Sequence, residues 1–151
     1  MFEVVNHLWL MQVCFSGIAI LGFSIRSNIY GWKLVFTSLG GALSWGLYLM
    51  FLAWSNSLLL SIFLSTALVC LYAELVARPF HVPVAVFVIC AIIPLVPGSG
   101  LYYSMTAYIS GNINDAMRLM GNTLMIAGTI SVAIALVSSL ANIFKKVIQR
   151  F

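Results

Sequence analysis

The run Pro94, Leu95, Val96, Pro97, Gly98, Ser99, Gly100 lies within an apolar segment, Pro83 to Ser110, where an unbroken helix would otherwise form. Neither proline has a backbone N–H, so the carbonyls of Cys90 and Ile93, four residues back, lose their helical donors. Gly98 and Gly100 accept backbone angles that other residues resist. The segment is expected to break here, either as a packed kink or as part of a binding site. Irregular backbone at membrane depth is tolerated where it is buried in protein or lines a watery cavity.

Composition supplies the membrane. Of 151 residues, 63% are hydrophobic and 7% charged, against roughly 45–50% and 25% in soluble domains. Seven basic and three acidic residues cannot clothe a soluble protein of this size. The basic residues fall between and after apolar blocks, where they act as topology signals; the lipid bilayer, not nucleic acid, is the expected partner.

Outward from the break, three apolar blocks precede it, at about Val4 to Ile25, Leu34 to Trp54 and Leu58 to Val76. Each is near the ~20 residues needed to cross the hydrocarbon. A fifth, about Met117 to Phe144, follows the polar turn Gly111 to Asp115 and ends in a basic tail, residues 145–151. Pro83 to Pro94 makes about 17 Å of helix and Ser99 to Ser110 a similar length. Together they match the ~30 Å core, which places the break near the bilayer midplane. The sequence predicts an all-α integral membrane protein, one polytopic domain over residues 1–151, with five transmembrane helices, the fourth broken at Pro94 to Gly100. No basic stretch precedes the first apolar run, so it is expected to be a retained span and not a cleaved signal.

Five crossings put Arg26, Lys33, Arg78, Lys145, Lys146 and Arg150 on one side and Arg118 alone on the other. A re-entrant fourth segment would weaken that bias to four against three. Because short cytoplasmic loops collect Lys and Arg, the N-terminus is expected outside and the C-terminus in the cytoplasm.

The half-helix that begins near Ser99 and Gly100 would aim free N–H groups and the positive end of its dipole at the break. A carboxylate could be held there without a buried cation, while the carbonyls near Cys90 and Ile93 could receive an ammonium, a cation or water. Pro94, Pro97, Gly98, Ser99 and Gly100 are therefore the candidate substrate site, joined by Asn122, an amide inside the fifth span. Intramembrane amides face protein or a cavity; Asn122, Thr123, Thr129 and Ser131, and the pair Gln12 and Ser16, either line a pathway or bond between helices. Glu74 and Arg78, four residues apart, can meet on one helix face. They are either an interfacial pair or, through Glu74, a proton-coupling site that His81 could join. Gly40, Gly41, Ala42 and Gly46 give the second span a small-residue face suited to close packing, structural in role and a candidate seam with another subunit. Cys14, Cys70 and Cys90 lie far apart in apolar segments without a CxxC, and are expected to be free thiols; no metal site or cofactor is expected. Two histidines and three acids, mostly at interfaces, make no catalytic constellation, so an enzyme is not expected.

Ala77, Arg78, Pro79, then Pro83, Val84, Ala85, Val86, Phe87, and then Ile92, Ile93, Pro94, Leu95, Val96, Pro97, Gly98 and Tyr102 resemble the C-terminal half of the threonine/serine exporter family. In that family this half is either fused behind a larger N-terminal membrane domain or is a separate small subunit, which this chain resembles. The resemblance implies a bacterial inner-membrane protein that acts with a larger partner to export small carboxylates: threonine and serine for fused members, a C4 dicarboxylate such as succinate for the split kind. A non-transporting structural or assembly subunit is the alternative. Five spans are few for a self-contained transporter, so either the partner half or a homo-oligomer is expected to complete it.

Overall fold

The computed structural model describes the backbone of residues 2–80 and 82–148 and the side chains of residues 8–80 and 82–143. Six α-helices account for nearly all of it: α1 Phe2–Arg26, α2 Trp32–Ser55, α3 Leu58–Phe80, α4 Val84–Ile92, α5 Gly98–Ile109 and α6 Ile113–Ile148, with a 3₁₀ turn at Ile93–Leu95. No strand occurs among the described residues. Four helices are long and apolar enough to cross a membrane, and there are up to five spans when α4 with α5, bent by 52° at the break, is counted as one. A re-entrant loop would turn α5 back beside α4; a bend of this size keeps it travelling onward.

Local chemistry sets the helix ends. Asn56 takes the left-handed conformation (φ 51°) after α2 and donates its N–H to the Leu52 carbonyl at 3.1 Å, so two residues suffice to reverse the chain into α3. Gly31 and Gly111 have φ of 71° and 78°, values that glycine adopts without a Cβ penalty. α3 runs through Arg78 and Pro79 to Phe80, one turn beyond the expected end at Val76; Pro79 gives up only the bond to Leu75, close to the helix end. α6 starts inside the expected polar turn, because the Asn112 side chain receives the Asp115 N–H at 3.5 Å and donates to its carboxylate at 2.6 Å, a reciprocal N-terminal cap.

α3 is the centre of the bundle, packed by α2, α4 and α6. Cys70, Ala73 and Ala77 of α3 meet Phe87 and Val88 of α4 and Val137 of α6 in the largest buried cluster. A second cluster joins Ile62 of α3, Leu95 of the 3₁₀ turn and Ile130 of α6. The break therefore lies beside the first turns of α3. α4 with its turn advances about 18 Å and α5, leaning by 52°, about 11 Å along the same axis, for a total near the ~30 Å hydrocarbon thickness.

Small residues close the α1–α2 crossing. A Cβ on Gly41 would collide with Ile20, and one on Gly17 would press on Ala42 at 3.3 Å. Ser16 donates to the Gly41 carbonyl and Ser38 to that of Gly17, each at 2.7 Å, and the Ser24 and Thr37 hydroxyls bond at 2.9 Å. Gly40 abuts Tyr72 and Ala91, and Gly46 abuts Val13. The small-residue face of the second span is thus used within the chain, where it admits α1, α3 and α4.

Candidate functional site

At the break the chain passes from α4 through the 3₁₀ turn, and Val96 donates its N–H to the Ile93 carbonyl at 3.1 Å. That bond corrects one expectation: Ile93 is not an open acceptor, because the tighter turn supplies a donor three residues on. On the α5 side, Gly98 donates to Val96 at 2.8 Å and Leu101 to Pro97 at 3.3 Å. No side chain caps α5, and the Gly100 N–H has no backbone acceptor among the described residues. The start of α5 thus keeps donor capacity and partial positive charge at the break.

A cavity of about 270 Å³ opens here. Pro94 to Pro97 and Ser99 form one wall, and Trp45 and Tyr48 of α2, Leu58 and Ile62 of α3 and Ile126 of α6 form the others. Its size is near the lower end for ligand pockets, and its lining combines apolar residues with Ser99 and Tyr48 beside the helix start. The two glycines differ. A Cβ on Gly98 would meet nothing within 4 Å, whereas one on Gly100 would strike the Thr123 side chain. Gly100 is therefore a contact glycine that seats α5 on α6, and Gly98 borders open space.

Asn122 is separated from this group. It is on the exposed side of α6, while its neighbour Thr123 is buried and donates to Leu119 at 2.7 Å. Thr129 and Ser131 likewise bond back to α6 carbonyls, whereas Gln12 and Ser16 bond across to α2. Glu74 is 8% exposed, inside the bundle, and Arg78 is exposed. The two form no ion pair; the pair among the described residues is Arg118 with Asp115 at 3.5 Å. Glu74 nevertheless has an interaction of its own. Cys14, Cys70 and Cys90 are free thiols. The side chains of Lys145, Lys146 and Arg150, and His81, lie outside the described residues.

Two other cavities differ in chemistry. One of about 350 Å³ sits where the α1–α2 loop meets α4, with Ser27, Asn28, Tyr30 and Lys33 on its wall. The other, about 360 Å³ between α5 and α6, is lined by Met105, Met117, Met120 and Leu124 among others. Its Ser104 hydroxyl is already committed to the Leu101 carbonyl, so it offers a carboxylate nothing. Sequence reasoning missed Trp45 and Tyr48; they are aromatic residues in an apolar span, and only the packing of α2 beside the break distinguishes them from lipid-facing neighbours.

These features define a class: a multi-pass α-helical membrane protein built around a helix broken within its span. A family model described as Threonine/Serine exporter, ThrE matches residues 12–140. The chain belongs to the threonine/serine exporter family, with the break and all five spans touched by the matched region. Comparison with curated proteins and with solved structures gives no match.

Proposed function

We propose that this chain is the small subunit of a two-component secondary exporter of small carboxylates, threonine and serine or a C4 dicarboxylate such as succinate, in a bacterial inner membrane. The observation that carries the reading is the start of α5, uncapped and bordering the Ser99 cavity, in a chain of an exporter family. A carboxylate in that cavity would accept from backbone N–H groups and the Ser99 hydroxyl, with the helix dipole supplying charge that no lysine or arginine supplies there. With the N-terminus outside, Lys33, on the wall of the separate cavity at the α1–α2 loop, lies on the cytoplasmic side, where its ammonium would attract the same anions. The larger partner covers α5, whose one extensive contact in this chain is α6 and which exposes Leu101, Tyr102, Tyr103, Met105 and Tyr108.

Efflux of threonine, serine and succinate from vesicles holding this chain alone, the larger family half alone, or both tests the proposal. Export only with both is expected. Full-rate export by the larger half alone would make this chain a structural or assembly subunit. Glu74 is the proposed proton-coupling group, since a carboxylate buried in a span is retained at a cost that function explains. Glu74→Gln is expected to weaken the dependence of export on the pH gradient; unchanged dependence removes Glu74 from that role.

A further inference from the structure

The space beside the break has a second compartment. A cavity of about 400 Å³ lies on the α1 side, bordered by Gln12, Phe15, Ser16 and Ile20 together with Ile93, Pro94 and Trp45. The Ser99 cavity lies on the other side and is also bordered by Pro94 and Trp45. These two residues alone line both spaces. Pro94 is fixed by its ring and by the 3₁₀ turn. Trp45 is a side chain with two rotatable bonds, half-buried; it packs against the cluster of Ile62, Leu95 and Ile130, its ring lies 5.2 Å from that of Tyr48, and its indole Nε1–H donates to Gln12 Oε1 at 3.1 Å, its one polar tie among the described residues. Trp45 thus stands between the two spaces with Pro94, and a single hydrogen bond to a different helix anchors its Nε1 edge.

We infer that Trp45 is the movable partition of the export site and Gln12 its latch. This rests on the exporter reading above. With the latch closed, the Ser99 compartment, about 270 Å³, is sized for a small carboxylate. When the indole turns away from Gln12, the two compartments become continuous past Pro94, and a bound anion can leave the start of α5 for the α1 side. Trp45 thereby determines both the size limit of the substrate and its passage. The latch is suited to this: a single interhelical hydrogen bond in a membrane is a weak tie, and beyond it the indole is held by apolar packing on one side only, against Tyr48 and the Ile62, Leu95 and Ile130 cluster.

Two measurements separate failure of the partition from failure of the exporter reading. The first needs no transport. In a protein retaining Trp45 alone, with Trp9, Trp32 and Trp54 changed to Phe, Gln12→Leu is expected to raise quenching of Trp45 fluorescence by acrylamide; unchanged quenching overturns the latch. The second compares export of threonine with that of phenylalanine by the complete pair. Trp45→Ala is expected to shift the ratio toward phenylalanine by about tenfold, the scale on which an enlarged apolar pocket changes discrimination. Trp45→Phe, which keeps most of the wall, should shift it less and controls for folding. An unchanged ratio in Trp45→Ala at normal membrane abundance overturns the partition. If the unmodified pair exports neither amino acid nor succinate, the exporter reading fails while the quenching result still decides the latch.

Discussion

The α1–α2 crossing and the α5–α6 hairpin both bring helices together at glycine, yet the first seam is closed at several points and the second at one. Between α1 and α2, Gly41 receives Ile20, Gly17 receives Ala42, and three hydroxyl bonds join the backbones and side chains across the seam. Between α5 and α6, Gly100 receives Thr123, but Gly121 and Gly128 have nothing within 4 Å of a Cβ, and Tyr102, Met105, Tyr108, Met117 and Leu124 stand exposed. The first region stabilises the subunit. The second holds one end of the break in place and leaves the rest of its surface to its surroundings, which suits a segment that works against a neighbour.

The comparison can be broken first where most packing is at stake. Gly41→Val should drive Ile20 and α1 away from α2; overpacking of this kind costs about 1–3 kcal/mol or more. Membrane abundance and thermal stability in detergent should both fall, and a stable Gly41→Val protein would show that the crossing is looser than described. Next comes Gly100→Ala, which sets a methyl group against Thr123 and should push α5 off α6. Export should drop more than abundance does, and Thr123→Ala in the same chain should restore part of it by removing the obstructing atoms. No rescue would mean that Gly100 matters for its backbone and not for its contact with α6. Asn122→Leu should matter least to the isolated chain, because no described residue bonds its amide. Its expected effect, of the order of 1 kcal/mol for an interhelical amide bond, belongs to association with the larger half, read as reduced co-purification; equal recovery of partner would leave Asn122 facing lipid.

Much of this was legible in the sequence, for physical reasons that particular residues make plain. Two prolines and two glycines within seven residues predict the break, since no helix can supply the missing N–H groups, and the lengths of the apolar blocks predict five spans. The course of the chain beyond the break was not legible. Residue counts on either side of Pro94 say nothing of the 52° lean that shortens the second half or of the packing of Leu95 on Ile62 that sets its level. The pairing of Glu74 with Arg78 fails for a related reason: a spacing of four brings Cβ atoms near each other, but the carboxylate turns into the bundle while the guanidinium faces outward. The second span's small-residue face was recognised, although which neighbours it admits depends on Ile20, Tyr72 and Ala91, residues scattered over three other helices. Trp45 carries no local signal at all.

Gly98 tests the central claim most directly, because nothing in the packing needs it to be glycine: a Cβ there meets no atom within 4 Å. It is exposed beside Ser99 at the start of α5, where the proposed function puts the carboxylate. Gly98→Val should leave membrane abundance, thermal stability and association with the larger half at unmodified levels while abolishing export of threonine, serine or succinate, whichever the unmodified pair carries. Export at the unmodified rate from a stable, partner-bound Gly98→Val protein would contradict the account and reduce the break to a kink in the fourth span.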